Sequence, residues 1–229
     1  MQQLKNLKAQ THNPQKIVLI GAGGHSKVIQ DLILSHFDHT LVAILDDQYE
    51  GTITRNDILY GPISISQQLR EDIPEAKWLI AIGQNETRQQ IAERLTLERK
   101  NYATLIHPAA TISPSAMIER GTVIMAQAVV QADAKVGEHA IINTGAVVEH
   151  DCSLSSFVHL SPGAILTGHV SVCEGAHIGA GAVVIPGKSI GSWSVIGAGA
   201  AVTSDIQDDM TAVGVPAIVI KNRWKGEIS

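Results

Sequence analysis

From residue 106 onward every sixth position carries Ile, Leu or Val, running 106, 112, 118 and so on to 202 without a slip. Seventeen hexads hold this phase. Four residues after each aliphatic the side chain is usually small: Ala ten times, with Thr122, Cys152, Val158, Val170 and Ser194 in the same role. Neither a 3.6-residue helix nor a two-residue strand alternation produces a period of six over about a hundred residues. A coil with three short faces does, because each hexad supplies one face and one corner. The large aliphatic and the small residue then both point inward, and residue i lies under residue i+18. Gly and polar residues at the corners suit tight turns. The pattern predicts a parallel β-helix over residues 106–207.

The preceding segment has a different rhythm. Residues 1–15 are polar and aperiodic and read as a loose tail. Lys16–Ile20 is a short apolar run that predicts a buried strand, followed by Gly21-Ala22-Gly23-Gly24-His25-Ser26 and an amphipathic helix through Leu34. A second strand, Leu41–Leu45, ends in Asp46-Asp47. A third run, Trp78–Ile82, meets Gly83-Gln84-Asn85, with a helical stretch from about Glu86 to Lys100. Strand, glycine turn, helix, strand, helix predicts a small Rossmann-like parallel α/β domain over 16–105. After Val202 the chain is expected to leave the solenoid through the acidic segment Asp205–Asp209, with residues 208–229 as a cap over the open coil end.

Composition sharpens this picture in two respects. Aromatic residues make up only 3% against 45% hydrophobic, so stacked small and β-branched side chains must fill the core. The net charge of −5 comes with no basic run, which argues against nucleic acid or an anionic membrane as partner. The N-terminal stretch has no apolar signal region and no segment has the length of a membrane span, so a cytoplasmic location is expected. Cys152 and Cys173 are too few for a disulfide framework, and the hexad phase points Cys152 into the coil.

Histidine suits proton transfer near neutral pH. His107, His139, His150, His159, His169 and His177 all fall at non-core hexad positions, where an outward histidine is ordinarily a solvated surface residue. His150 stands apart because Glu149 and Asp151 flank it, and a carboxylate on one ring nitrogen raises the basicity of the other. Asp151 lies one coil below His169, and His159 one coil below His177. Zinc carbonic anhydrases on such a β-helix use histidines five residues apart; no two solenoid histidines here have that spacing, so no metal is expected in the chemistry. The Gly21–Ser26 loop offers backbone N–H groups to a phosphate at a helix N-terminus, with Asp46 or Asp47 for a ribose hydroxyl. It could equally be a plain strand-to-helix turn. Ser26 occupies the sixth position of the dinucleotide fingerprint, so a nucleotide or nucleotide-sugar fits better than NAD.

Six segments now stand in order: Gly21-Ala22-Gly23-Gly24-His25-Ser26, Leu45-Asp46-Asp47, Ile80-Ala81-Ile82-Gly83-Gln84-Asn85-Glu86, Leu105-Ile106-His107-Pro108, Glu149-His150-Asp151-Cys152 and Gly214-Val215-Pro216-Ala217. From Lys16 to Lys221 this resembles the NeuD/PglD-like sugar O/N-acyltransferase family. The resemblance implies a left-handed coil, a homotrimer with active sites between subunits, and acetyl-CoA and a UDP-4-amino-sugar as substrates in surface glycan or glycoprotein sugar biosynthesis. It implies His150 as general base and Asp151 as the group raising its basicity. Gly23, Gly24, His25, Asp46, Asp47, Gly83 and Asn143 would bind the nucleotide-sugar; His159, Gly168, Ala180 and Ala198 would bind the coenzyme. Ser26 and Ile218 depart from the family pattern, the latter where a base usually follows Pro-Ala; Lys221 or Arg223 could replace that base. The alternatives are O-acetylation of a sugar or sialic acid, and a non-catalytic solenoid that binds nucleotide-sugar.

Overall fold

A computed structural model describes residues 14–222; of the tail expected over 1–15, residues 1–13 lie outside this range, as does Arg223, and Gln15 already opens the first strand. The first domain is built on β1 (Gln15–Ile20), α1 (Gly24–Leu34), β2 (His39–Leu45), β3 (Ile53–Arg55), β4 (Ile58–Gly61), α2 (Ser66–Asp72), β5 (Lys77–Ile80) and α3 (Asn85–Leu95). The sheet order is β3-β4-β2-β1-β5, parallel except for the β3–β4 hairpin. β1 is central and covered on both faces, which is why Ile17-Val18-Leu19-Ile20 is a continuous apolar run rather than an alternation. Val18 and Ile20 pack toward Leu69, Ile91 and Leu95 of α2 and α3. Ile17 and Leu19 pack on Ile29, Leu32 and Ile33 of α1 and, beyond it, on Val123, Met125 and Ile141 of the solenoid. The second domain is thereby part of the first domain's core.

The hairpin and α2 were not anticipated from sequence. Ile53-Thr54-Arg55 is fully exposed and carries no alternation, while α2 buries only Leu69. The helix expected to reach Lys100 ends at Leu95, where Thr96 turns left-handed (φ 47°).

From Leu105 to Val202 the chain is a left-handed β-helix of two-residue strands, each pairing in parallel with the strand 18 residues on. The aliphatics 124 to 202 are buried to within a few per cent, and Ala, Cys152 and Val at the small positions complete the prism. The three faces differ outside. One presents Lys135, Ser153, Ser171 and Ser189; a second presents Val129, Val147, Ile165, Val183 and Ala201; the third presents Val123, Ile141, His159 and His177 toward the first domain. The coil continues past the last regular hexad rather than leaving it. Ile206 bridges Ile190, Asp205 and Asp208 accept the N–H groups of Ser189 and Ser192, and Met210–Val213 adds in parallel to Val195–Ile196. Ile218–Asn222 then returns antiparallel and closes that edge.

Candidate active site

Every hexad corner from residue 121 to residue 199 holds one residue in the left-handed backbone region. Glycines 145, 163, 181 and 199 stack along one corner, and Asp133, Asp151, His169 and Gly187 along a second. The third carries Gly121, His139, Phe157, Gly175 and Trp193. Bulky residues resist this conformation, and here stacking compensates: the His139 and Phe157 rings lie 5.1 Å apart at 6°. Their neighbours are glycine because a Cβ at Gly121 would stand 2.3 Å from His139, and one at Gly175 2.3 Å from Trp193.

At the second corner His150 Nδ1 lies 2.8 Å from Asp151 Oδ2. The same oxygen is 3.5 Å from His169 Nε2, and the two imidazoles meet edge to face at 5.3 Å. The His150 hydrogen bond holds the Asp151 carboxyl below its ordinary range, against a smaller opposing effect of burial. A carboxylate only accepts, so His150 Nδ1 carries the proton and Nε2 keeps its lone pair. That Nε2 edge lies over Gly168: a Cβ there would stand 2.6 Å from Nε2 and Cε1. The ring is half exposed, open to an incoming group. His150, Asp151 and His169 also bring ligand atoms within 4.8 Å of one another; an ion there would occupy the nitrogens needed for proton transfer.

A separate group gathers where the first domain meets the third face. His159 is 9% exposed, donates from Nδ1 to the Gly83 carbonyl (3.1 Å) and accepts at Nε2 from Asn143 (3.3 Å). It stacks on His177 at 4.8 Å, and His177 Nε2 is 2.8 Å from Ser161 Oγ. The His25 ring lies 6.3 Å from that of His159 and its Nε2 is buried without a hydrogen-bond partner. Burial first, then nearby positive charge, lowers His159 to about 3 and His25 to about 4. His139 is likewise lowered to about 4 by burial. These side chains point outward from the coil as expected, yet His139 and His159 are not solvated, because the α/β domain covers that face. A cavity of about 380 Å³ opens beside His159, His177 and the Gly83–Glu86 turn.

Arg88, 1% exposed, organises this junction. Its five N–H groups meet the carbonyls of His139, Ile82, Gly83 and Phe157 and the Asn85 side-chain oxygen, at 2.8–3.2 Å. Asn85 in turn donates to the Gly175 and Ala176 carbonyls. Burial lowers the guanidinium to about 9, so it stays charged at neutral pH. Sequence reasoning passed over Arg88, since an arginine in a polar helical stretch reads as solvent-facing.

The remaining candidates are placed as follows. Gly23 caps α1, Gly24 starts it, and both are exposed with open space around them. Gly21 has φ +108°, and a Cβ there would collide with Ile82. Asp46 accepts the Ala22 and Gln48 N–H groups, and Asp47 accepts from Ile63 and pairs with Arg94 at 2.5 Å. Both carboxylates therefore shape the loop itself. Ser26 is buried inside α1. Ala180 and Ala198 are exposed and stacked beside Gly181 and Gly199, where added Cβ atoms would meet nothing, so this stretch of corner is lined by small residues. Cys152 is buried, and its thiol donates to the Thr167 carbonyl. His150 and the His25–Asn143–His159 group are not brought together within one chain. They flank the Val147–Val148 face at opposite corners, roughly 15 Å apart at about 3.3 Å per residue.

The PglD N-terminal domain model matches residues 16–95, and the bacterial transferase hexapeptide (six repeats) model matches residues 115–150. Caulobacter crescentus PerB, solved with CoA and GDP-perosamine, is 38% identical, covers 90% of this chain and 97% of its own, and superposes with a TM-score of 0.82. The chain belongs to the NeuD/PglD-like sugar acyltransferase family. Another relative of this PglD-like chain is the acetyltransferase domain of PglB from Neisseria gonorrhoeae FA1090, solved with acetyl coenzyme A: 39% identity, coverage of 90% and 100%, TM-score 0.81. A UDP-N-acetylbacillosamine N-acetyltransferase of Bacillus subtilis (strain 168) is 50% identical over 112 residues. That match spans 49% of this chain and 52%, about half, of the curated relative's length.

Proposed function

We propose that this chain is an acetyl-CoA-dependent N-acetyltransferase acting on a UDP-linked 4-amino-sugar, with His150 as general base. The observation that carries the reading is the His150–Asp151 pair, with the Nε2 edge of a half-exposed ring lying over Gly168. Acetyl-CoA, when bound, supplies a thioester carbonyl open to attack. His150 Nε2 takes the proton from the acceptor amine, and Asp151 stabilises the imidazolium that results. The small-residue corner at Ala180 and Ala198, with His159 and Gly168, is the surface fitted to the coenzyme. Gly23, Gly24, His25, Asp46, Asp47, Gly83 and Asn143 form the nucleotide-sugar side, where backbone N–H groups at the α1 N-terminus favour phosphate.

The separation of the two groups supports a homotrimer. The face between them carries Val129, Val147, Ile165, Val183 and Ala201, a continuous ladder of apolar side chains. If that face turns toward a threefold axis, each chain's His150 corner meets its neighbour's Asn143 corner. Sugar and base then come from different subunits.

Uridine is favoured over guanosine because the relative of 50% identity carries a UDP-sugar in its name, whereas the GDP-perosamine enzyme is 38% identical. Thiol release from acetyl-CoA, followed across UDP-amino-sugars, GDP-amino-sugars and hydroxyl acceptors, tests this. The highest kcat/KM belongs to a UDP-linked amine. A preference for hydroxyl acceptors would replace the reading with O-acetylation, and nucleotide binding without turnover on any acceptor would reject the enzyme.

A further inference from the structure

We infer that His36, Asp38 and His39 form a binding site for one first-row divalent transition metal such as zinc, remote from the acyl-transfer chemistry. The segment His36-Phe37-Asp38-His39 joins α1 to β2. His36 Nδ1 and His39 Nδ1 lie 3.7 and 3.0 Å from the same oxygen, Asp38 Oδ1. One ligand atom from each residue lies within 4.8 Å of the other two. Ligands about 2.0–2.2 Å from a tetrahedral ion stand roughly 3.3–3.6 Å apart, a spacing that the two Nδ1–Oδ1 separations bracket.

Protonation and anchoring favour that use. His36 Nε2 is 2.7 Å from the Ile106 carbonyl, which only accepts. Nε2 therefore bears the proton and Nδ1 offers its lone pair toward Asp38, the outer-shell arrangement typical of a metal-bound imidazole. His39 Nδ1 is buried and faces the Asp38 carboxylate at 3.0 Å.

The backbone is fixed in advance: the His36 N–H donates to the Ile33 carbonyl and the Asp38 carbonyl accepts from Gln15. An open hollow of about 480 Å³ beside His36 and Asp38, walled by Ser35, Phe37 and Pro108, leaves room for water at the fourth position. Two imidazoles and one carboxylate select Zn²⁺, Co²⁺, Ni²⁺ or Cu²⁺ over Mg²⁺ or Ca²⁺. Through His36 and Ile106 the ion would tie the α1–β2 turn to the first solenoid hexad, a structural staple between domains.

The test uses the full chain freed of metal by chelation, titrated with Zn²⁺ by calorimetry and with Co²⁺ by visible absorption, with Mg²⁺ as control. The variants are D38N, H39Q and D151N, the last removing the other cluster of possible ligands. One equivalent binds, Mg²⁺ does not, and D38N and H39Q each weaken Zn²⁺ by at least about a hundredfold, beyond the 10–100-fold typical of outer-shell changes. D151N leaves this site intact. Zn²⁺ at about 100 times Kd raises Tm by roughly 5–10 °C in wild type and D151N but not in D38N. Metal-free D38N and H39Q melting with wild type shows that both are folded; if one is not, the other carries the comparison. Binding only at millimolar Zn²⁺, binding that survives both D38N and H39Q, or loss with D151N alone would overturn the site.

Discussion

The proposed base rests on three residues that a six-residue period brings together. His150 and Asp151 were legible in sequence because carboxylates flank the histidine. The part of Gly168 follows from register, since it stands 18 residues on and its missing Cβ is where the His150 ring lies. Gly168 does not have a positive φ, so alanine there meets no backbone penalty and acts through the ring. Gly168→Ala is expected to lower kcat at least about tenfold by displacing Nε2, a shift of roughly 1.4 kcal/mol in barrier, with Tm within a few degrees of wild type. Steady-state kinetics beside a melting curve checks it. His139 and His159 show where the same reasoning stops: periodicity tells which way a side chain points, not what covers it.

Among the elements, α3 ties the first domain to the solenoid through Arg88, beside the apolar contact that α1 makes. The helix carrying Arg88 shows only weak apolar periodicity, so its buried face left no sign in the sequence, and its end was expected at Lys100 rather than Leu95. Only the tertiary arrangement reveals five acceptors converging on one guanidinium. Arg88→Met removes every donor while keeping much of the volume, leaving buried carbonyls unpaired at about 1–3 kcal/mol each where water cannot reach. A loss of more than about 3 kcal/mol in denaturant unfolding is expected. β3, β4 and α2 escaped notice for the opposite reason, since they bury too little to impose a pattern. The solenoid's extent up to Val202 was legible because an inward aliphatic recurs in every hexad, whereas its continuation through Ile206 to Val213 was not, since the acidic run there reads as an exit.

The whole molecule should be acid-sensitive. His25, His139 and His159 have folded pKa values of about 4, 4 and 3 against an ordinary 6.5. A lowered histidine pKa means the unfolded chain binds more protons, so stability is full above pH 6.5 and falls as pH drops toward 4. Each contributes up to about 1.4 kcal/mol per pH unit, and His139→Gln should flatten the stability–pH slope by up to that amount. The apolar ladder makes a second prediction at this scale. Ile165→Asp places a charge in the proposed threefold contact, so light scattering should show monomers, and turnover should disappear although His150 is untouched. A trimeric variant with wild-type turnover would remove that face from the interface.

The central claim, that His150 deprotonates an amine for acetyl transfer, is tested most directly by thiol release from acetyl-CoA with a UDP-4-amino-sugar, comparing wild type with His150→Ala. Because His150 is half exposed, the variant should keep its Tm. The account predicts a fall in kcat of about 10²–10⁴-fold; turnover in folded His150→Ala equal to that of wild type would contradict it.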